Sequence, residues 1–317
     1  MKEIYLTINQ KKYYKILIAG SEGRIGTFLN EGLKEKVTVH SCDFDNARST
    51  NSNTKFKKLD LTKLKKVHSY AEELPQYDIL IFLVGLAHAK GKGKDLSEFT
   101  EINYQTLLNL LAALEESNKL PKKIIFSSTI SVYGEQLGQK VYCENSLTNP
   151  FSPYAVTKLR AENYLLEKYA DKSWILRFAP VYSPKFTLNL DRRTRIKNLF
   201  FKIGNGKNKL SLCNIENILT AIGGIIDGSV PTGVYNISDP THYTYNDLLR
   251  HQRARFAIRI PSIAILVLYG IGKITKNIFL KENSTKLVTD NLFPSNKISA
   301  YVDLNATIND TIISHAP

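Results

Sequence analysis

The sequence predicts an α/β protein built on a doubly wound parallel sheet, with a smaller lobe in its second half. Three observations predict this class. Short, continuously apolar runs suit strands that are buried on both faces, and helical patterns separate these runs along the first half of the chain. A glycine-rich turn follows the first run, at 20–26. Alternation of this kind indicates right-handed βαβ units.

Six strands are predicted before residue 180. They are "KILIAG" (15–20), "KVTVHSCD" (36–43), "KFKKLD" (55–60), "DILIFLVG" (78–85), "KKIIFSST" (122–129) and "WILRFAP" (174–180). Apolar residues at 97–117 recur at helical spacing. The segment 183–215, rich in Lys, Arg and Asn, predicts loop with short helices. "GVYNIS" (233–238) predicts a returning strand, and "TYNDLLR" (244–250) a helix with Thr244 as its N-cap.

The composition is that of a globular protein with a basic surface. The net charge is +14, from 43 Lys and Arg against 29 Asp and Glu, and the cations are scattered in pairs such as Lys11-Lys12. Without a long basic block we favour a solvated lysine-rich surface and expect no nucleic-acid partner. Three widely spaced cysteines argue against a disulfide framework or a local zinc motif. We therefore expect no metal, and a reducing compartment.

Two segments bear on membranes. The N-terminal "MKEIYLTINQKKYYK" is polar and lacks the apolar region of a signal peptide, which favours a cytoplasmic protein. The longest apolar stretch, "IPSIAILVLYGIG" (260–272), contains Pro261 and is too short to span a bilayer comfortably. We interpret it as a packed helix and expect no stable membrane insertion; contact with a membrane surface is the alternative.

The turn after the first strand reads "GSEGRIG", with Gly20, Gly23 and Gly26 at equal spacing. Glycines allow a tight turn and let backbone amides approach a pyrophosphate at a helix N-terminus, where the helix dipole favours negative charge. This turn follows a strand and opens a helix, which is the context that dinucleotide binding requires. We therefore expect a Rossmann-type domain in which these glycines, Arg24 and Ile25 contact a dinucleotide.

Acidic residues end the next two strands. Asp43 lies 17 residues after Gly26, where a carboxylate accepts hydrogen bonds from ribose hydroxyls and repels a 2′-phosphate. This favours NAD over NADP as the cofactor, although Arg48 could offset the repulsion. Asp60 and Leu61 close the third strand and are expected at the adenine edge.

The segment "SPYAVTK" (152–158) places Tyr154 and Lys158 four residues apart near the start of a helix, so both project from the same side. A free phenol has a pKa of about 10, too high for an efficient base near neutrality. A nearby ammonium and an oxidised nicotinamide would favour the phenolate. Thr129, 25 residues before Tyr154, offers a hydroxyl that orients a substrate. A second face of the helix is expected to consist of Ala155, Leu159, Glu162, Leu166 and Tyr169.

In this order, these residues resemble the extended short-chain dehydrogenases/reductases, in the NAD-dependent epimerase/dehydratase branch that modifies nucleotide sugars. The resemblance covers about 14–240. It is carried by "GSEGRIG", Asp43, "LVGLAHA" (83–89), Asn103 in "EINYQTLLNLL", "SSTISVYG", "SPYAVTK" and "LRFAPVYSP" (176–184).

The resemblance implies roles for individual residues. Tyr154 is expected as the acid/base, Lys158 as its partner and as a ligand of the nicotinamide ribose, and Thr129 as the hydroxyl that positions the substrate. Asn103 is expected to support the water network of the lysine. The loop expected to line the cofactor contains Val84, Gly85 and Leu86.

The resemblance also suggests a division of the chain. We expect an N-terminal extension (1–13), an NAD-binding Rossmann domain (14–180) and a mainly substrate-binding lobe (181–317), with the strand near 233–238 returning to the sheet. In the lobe, Arg192 and Arg195 precede "LCNIENI" (212–218), which resembles the mouth of the substrate site. These arginines are expected to meet a diphosphate, with a solvated basic loop as the alternative. A homodimer formed through 97–117 and 153–170 is the habit of the family.

Two departures from the family pattern limit the choice of reaction. Ile130 and Ser131 stand where dehydratases carry an Asp-Glu pair after the threonine, and they cannot do the proton work of eliminating water. Pro180 and Ser183 replace an asparagine and a glycine of many relatives. The substrate end is therefore atypical, and the resemblance does not assign a specific sugar to this chain.

Three functions remain open. The leading hypothesis is a nucleotide-sugar epimerase that acts at C4 through a 4-keto intermediate, in cell-surface polysaccharide synthesis. The alternative within the enzymes is an NAD(P)H-dependent reductase of a 4-keto nucleotide sugar. A dinucleotide-sensing regulator without catalysis is a distant third, because a sensor does not need the intact threonine, tyrosine and lysine.

Overall fold

The computed structural model describes residues 14–33, 37–44, 54–87, 95–134 and 136–310. The expected extension at 1–13 and Arg48 lie outside these residues. The strands are β1 (Tyr14–Ala19), β2 (Val37–Asp43), β3 (Thr54–Lys58), β4 (Ile79–Phe82), β5 (Lys123–Thr129), β6 (Ser173–Phe178), β7 (Val181–Tyr182), β8 (Arg195–Ile196), β9 (Leu199–Ile203), β10 (Lys209–Leu210), β11 (Cys213–Asn214), β12 (Gly233–Ile237), β13 (Tyr243–Thr244) and β14 (Ile258–Ile260). The helices are α1 (Arg24–Gly32), α2 (Leu64–Glu73), α3 (Leu96–Thr100), α4 (Thr106–Glu116), α5 (Pro153–Lys168), α6 (Leu188–Thr194), α7 (Ile215–Asp227), α8 (Tyr245–His251), α9 (Ser262–Ile274), α10 (Ile278–Val288) and α11 (Asn296–Ser299).

Among the described residues, seven strands form the main sheet, in the order β12-β6-β5-β4-β1-β2-β3. β1 pairs in parallel with β2 and with β4, and the β2–β3 and β4–β5 pairs are parallel as well. Strand order reverses at β1, so the sheet is doubly wound, as predicted. In such sheets ligands bind outside the carboxyl ends of the strands at the point of reversal. That point lies beyond Ala19 of β1 and Phe82 of β4.

The predicted strand at 78–85 ends earlier than expected. β1 turns away at Gly20, and the last ladder bond from β4 runs from Leu83 N–H to the carbonyl oxygen of Ala19 (2.8 Å). Residues 83–87 therefore leave the sheet as a loop. Both strands are fully buried from Ile16 to Ala19 and from Ile79 to Phe82, which explains their continuous apolar runs.

The helical pattern at 97–117 is interrupted. α3 and α4 are joined by a π-helical turn, Glu101–Gln105. A π-helical turn carries one extra residue and is frequently found at functional sites. Asn103 lies in this turn and is fully buried.

The chain divides into two compact units that interleave in sequence. The first contains residues up to Thr129, Pro153–Leu176 and Ile222–Val234. Its core packs strand residues such as Leu17 and Phe126 against helical residues such as Leu110, Leu114 and Leu165.

The second unit contains Ile130–Ser152, Arg177–Ala221 and the chain from Tyr235 onward. Short strands β8 to β11 and helix α6 lie within 183–215, so the prediction of loop with short helices missed the strands. Each has only two to five residues, too few to show periodicity. α8 begins as predicted, because Thr244 and Asp247 form a capping box.

The apolar stretch at 260–272 forms α9, but the expectation of a packed helix is wrong. Ile265 is 6% exposed, whereas Ile263 is 67%, Val267 55% and Ile274 84% exposed. Packing holds only one side of the helix, around Ile265 and Gly272. Among the described residues, no helix has the length and apolar content to cross a membrane.

Candidate active site

Two of the three glycines in the turn after β1 are required by the packing of the protein itself. Gly20 has a φ of +87°, and an added Cβ would lie 2.8 Å from the Val84 nitrogen. At Gly26 an added Cβ would lie 2.5 Å from the carbonyl oxygen of Gly20. Because Cβ atoms do not approach backbone this closely, these two positions keep the turn tight against the loop after β4 and against α1.

Gly23 is different. Its backbone (φ −69°, ψ 166°) suits any residue, and the nearest atom to an added Cβ is the Gly20 oxygen at 3.4 Å. Gly23 is the N-cap of α1, and Arg24 and Ile25 follow as its first residues, so their amides belong to the open first turn. Within the described chain no packing contact explains a glycine here, whereas close approach of a pyrophosphate does. This turn fits the NAD that the sequence predicts.

Asp43 ends β2 beside this turn. Its Oδ2 accepts a hydrogen bond of 2.8 Å from the Glu22 amide, and Gly20 N–H donates to the carbonyl oxygen of Cys42 (2.9 Å). The turn and the strand-end carboxylate are thus fastened together. A second carboxylate, that of Glu22, lies in the turn itself and is buried.

Asp60 and Leu61 follow β3. The Asp60 carboxylate accepts hydrogen bonds from the Thr62 amide (3.0 Å) and hydroxyl (2.7 Å), which close a local turn. The carbonyl oxygen of Leu61 accepts from Asn109 Nδ2 (2.9 Å). Both residues therefore make hydrogen bonds that stabilise the protein itself, and the adenine contact expected of them stays a prediction.

The loop after β4 is held from two sides. Asn103 Oδ1 accepts from the Leu86 amide (2.6 Å), and its Nδ2 donates to the Leu86 carbonyl oxygen (3.3 Å) and to Thr157 Oγ1 (3.1 Å). Lys158 Nζ donates to the carbonyl oxygen of Val84 (3.1 Å). Between them, an added Cβ on Gly85 would lie 3.1 Å from the lysine Nζ. Asn103 thus fixes the loop by direct bonds.

Lys158 is 2% exposed. Besides Val84, its Nζ donates to the carbonyl oxygen of Ser127 (2.9 Å), and it lies 4.7 Å from the ring centroid of Phe126. Burial lowers the pKa of Lys158 to about 7, although the charge of Glu162 acts in the opposite direction and raises it. The amine is thereby fixed at the carboxyl end of β5, at the edge where ligands bind in such sheets.

Tyr154 begins the same helix one turn earlier and meets Thr129 at the end of β5. Burial raises the pKa of Tyr154 to about 12, and a side-chain hydrogen bond from Thr129 opposes that rise. In this structure the phenol is protonated near neutrality. The threonine, not the lysine, is the group that favours the phenolate here, so the predicted effect of the ammonium stays a prediction.

Sequence analysis did not predict that Glu162 would be buried and would act on the pKa of Lys158. We expected Ala155, Leu159, Glu162, Leu166 and Tyr169 to share a face, but the buried residues of α5 are Ala155, Thr157, Lys158, Ala161, Glu162 and Leu165. Glu162 is fully buried, and Ser128 Oγ donates a hydrogen bond to it. A carboxylate four residues after the lysine was the available signal, because the two side chains share a helix face.

Arg192 and Arg195 lie in the second unit. Arg192 is exposed on α6. Arg195 Nη1 is 3.7 Å from Asp191 Oδ1, and its guanidinium lies 4.6 Å from the ring centroid of Phe200. Both are arginines of a short helix–strand junction, and their contact with a diphosphate stays a prediction.

The "LCNIENI" segment makes hydrogen bonds to other residues of the second unit. Asn217 Nδ2 donates to Asp239 Oδ1 (2.9 Å) and to the carbonyl oxygen of Ala306 (2.8 Å), and the Asn214 amide donates to Asp239 as well (2.6 Å). Burial raises the pKa of Asp239 to about 6. These asparagines hold the segment in place. In the described part of the chain, no cluster of three His, Cys, Asp or Glu side chains could hold a metal.

The sheet order and the glycine turn after β1 define the dinucleotide-binding class of α/β proteins. Residues 16–237 match the NAD dependent epimerase/dehydratase family. The chain belongs to this family of NAD-dependent enzymes.

Individual relatives are more distant. An uncharacterized UDP-glucose epimerase of Bacillus subtilis is 31% identical over 187 residues, which is 54% of this chain and 58% of the relative. A dTDP-D-glucose 4,6-dehydratase of Dictyostelium discoideum is 27% identical over 258 residues, 70% of this chain and 58% of the relative. The chain thus spans 58% of the length of each of these two curated relatives.

Solved structures share the fold. UDP-glucuronic acid 4-epimerase from Bacillus cereus, in complex with NAD, superposes with a TM-score of 0.70 at 20% identity, over 93% of each chain. ADP-L-glycero-D-manno-heptose-6-epimerase from Helicobacter pylori gives 0.69 at 17% identity, over 94% of this chain and 93% of that one. At these identities the likeness establishes the fold alone.

Proposed function

We propose that this protein is an NAD-dependent nucleotide-sugar epimerase that acts at C4 through a 4-keto intermediate. The proposal rests above all on one observation: Thr129 bonds the Tyr154 hydroxyl, with Lys158 fixed one turn further along the same helix. The name of one relative, an uncharacterized UDP-glucose epimerase, supports a nucleotide sugar. The name of one structure with the same fold, a UDP-glucuronic acid 4-epimerase, supports C4.

In this proposal an oxidised nicotinamide and the Lys158 ammonium favour the phenolate of Tyr154. The phenolate takes the proton of the C4 hydroxyl as that carbon is oxidised, and the phenol returns it when the keto oxygen is reduced. Bound NAD supplies a reversible hydride acceptor. Thr129 lowers the cost of the phenolate by its hydrogen bond, which offsets part of the effect of burial. General acid–base catalysis by one positioned group contributes about 10²–10⁴-fold to the rate.

Lys158 and the loop after β4 are proposed to hold the nicotinamide end. Lys158 is held by the carbonyl oxygens of Val84 and Ser127, and Asn103 clasps the backbone of Leu86. Such locked side chains fix the position of a cofactor with little loss of entropy on binding. Gly85 leaves room beside the lysine.

NAD is proposed in preference to NADP. Asp43 is oriented by the Glu22 amide, which donates a hydrogen bond to its carboxylate. Asp43 would repel a 2′-phosphate at this strand end, whereas ribose hydroxyls can donate to it. Asp60 and Leu61 are proposed to border the adenine.

The substrate end of the proposal is coarser. Arg192 and Arg195 are proposed to bind its diphosphate, because guanidinium groups pair with phosphate oxygens in bidentate fashion. Dehydration is not proposed, because Ile130 and Ser131 follow Thr129 and neither supplies an acid or a base. One relative is named as a 4,6-dehydratase, so this point is open to test.

We also propose a cytoplasmic homodimer that serves polysaccharide synthesis. The predicted dimer helices come from the first unit, where Arg160 lies 4.7 Å from the ring centroid of Tyr104, and Leu166 is exposed on α5. Arginine and aromatic residues are enriched at interfaces between proteins.

The proposal is tested with protein purified without added cofactor. We expect it to carry NAD, identified by mass spectrometry of the released ligand. We also expect it to interconvert C4 epimers of UDP-glucose, UDP-N-acetylglucosamine or UDP-glucuronic acid without added NADH. Protein that arrives empty, prefers NADPH and consumes it in step with a 4-keto sugar would establish the reductase instead. A 4-keto-6-deoxy product would overturn the exclusion of dehydration.

A further inference from the structure

α9 exposes apolar side chains on its outward side, which in globular proteins is usually polar. Ile263, Val267 and Ile274 recur at spacings of four and seven residues, so they lie along one stripe, here named the outer stripe. Ile265, on the opposite side, is packed against Phe201. A helix that is apolar all round belongs in a core or in lipid, yet the outer stripe is 55–84% exposed.

The charged residues that flank α9 along the chain are all cationic. Between Asp247 and Glu282 the sequence has seven Lys or Arg and no Asp or Glu. Arg253, Arg255 and Arg259 precede the helix, and Lys273 and Lys276 end and follow it; all five are exposed. Their charges are not neutralised locally, because the described residues offer none of these five an ion-pair partner within 4.0 Å.

Exposed apolar residues continue into the segment before the helix. Phe256 is 76% and Ile258 42% exposed, and β14, which contains Ile258, pairs with β9. β14 and α9 are thus fixed to the second unit by the ladder on one side and by Ile265 on the other. The surface is presented by structured elements.

We propose that β14 and the outer stripe of α9 dock on the surface of an anionic lipid bilayer. Apolar side chains with flanking Lys and Arg are the features of interfacial helices, which lie in the plane of the membrane. At 13 residues α9 is about 20 Å long, short of the roughly 30 Å of a hydrocarbon core. It lies on the membrane and does not cross it.

Charge decides between lipid and a second copy of this chain. A two-fold interface brings the same patch of two copies together, which would oppose cations to cations with no carboxylate between 248 and 281. Like charges across an interface oppose association. Anionic headgroups complement the same patch, and each Lys or Arg near such a surface strengthens binding about fivefold.

The test is cosedimentation of the full chain with large vesicles. One set contains phosphatidylcholine alone, and the other contains phosphatidylcholine mixed with phosphatidylglycerol. We expect binding to the anionic vesicles that weakens as salt rises, because the headgroup attraction is screened. Absence of binding to the anionic vesicles would overturn the proposal.

Matched variants separate the apolar and cationic contributions. Val267→Ser with Ile274→Ser should abolish sedimentation, while Leu147→Ser, at a residue 91% exposed in another segment, should leave it unchanged. Arg259→Glu with Lys273→Glu should weaken binding at least tenfold, against Lys66→Glu on α2 as the control. All these side chains are at least 40% exposed or lie on the exposed surface, so folding is preserved. Equal binding of the wild type and the outer-stripe variant would contradict the proposal.

A second measurement reports contact with the acyl chains. In Ile274→Trp, brominated lipids should quench the new tryptophan, while the native Trp174, 6% exposed, stays unquenched. Should analytical ultracentrifugation show a dimer that Val267→Asp dissociates, with no quenching, the patch is an interface between copies and the lipid proposal fails.

Discussion

Replacing each of two glycines in the turn after β1 by alanine should separate folding from cofactor binding. An added Cβ at Gly26 lies 2.5 Å from the Gly20 oxygen, whereas at Gly23 the nearest atom, the same oxygen, is 3.4 Å away. Gly26→Ala should therefore destabilise the fold, and Gly23→Ala should remove only the space that a pyrophosphate needs.

The magnitudes follow from the contacts. Overpacking a close-packed position costs about 1–3 kcal/mol, and each kcal/mol lowers Tm by about 2–4 °C in a domain of 150–250 residues. We expect that loss for Gly26→Ala. Gly23→Ala adopts an allowed backbone and should stay within about 1 kcal/mol of the wild type. If the added Cβ of Gly23→Ala clashes with bound NAD, the same 1–3 kcal/mol corresponds to NAD binding with a Kd about 5- to 150-fold weaker.

Differential scanning calorimetry measures the first effect and titration calorimetry with NAD the second, on the same preparations. The reasoning would be refuted by a Gly23→Ala protein that binds NAD as the wild type does. It would also be refuted by a Gly26→Ala protein with an unchanged Tm, because the backbone approach would then not constrain the turn.

Three further predictions concern the proposed site. Tyr154→Phe should keep NAD binding in calorimetry and lose about 10²–10⁴-fold in kcat, because only the proton-transferring hydroxyl is removed; near-normal turnover would make Tyr154 a bystander. Burial lowers the pKa of Lys158 from 10.5 to about 7, so between these values the unfolded chain binds more protons and stability should rise with pH. In urea titrations of cofactor-free protein, that rise should be smaller in Lys158→Met; parallel curves would contradict the shift. Asp43→Asn can still accept from the Glu22 amide but loses its charge, and should bind NAD roughly tenfold more weakly while gaining affinity for NADP; an unchanged preference would contradict the cofactor argument.

The sequence predicted the sheet best where strands are buried on both faces. β1, β4 and β5 are continuous apolar runs, and such runs leave few alternatives. The end of β4 was three residues too late, because strand pairing, not hydropathy, decides where the ladder stops: β1 turns at Gly20, and the last bond is at Leu83.

The sequence pointed to the residues of the proposed site, which stay a prediction, but not to the contacts between them. The tyrosine, lysine and threonine stand in a recognisable order, whereas the π-helical turn at Asn103 depends on the bonds of its side chain to Leu86 and Thr157. Those bonds are long-range and leave no local pattern. The exposure of α9 was missed because an apolar stretch predicts burial but does not distinguish a protein core from lipid.

The interleaving of the two units has a consequence for biosynthesis. The first unit needs residues 222–234, and Lys123 Nζ donates to the carbonyl oxygen of Ile226 (3.1 Å) in α7. Trp174 donates to the carbonyl oxygen of Val230 (2.9 Å). A nascent chain therefore cannot close its main sheet until β12 has left the ribosome, long after the glycine turn has been made. Expression fragments that stop near residue 180 would omit this edge and leave β6 with an unpaired strand edge, open to aggregation.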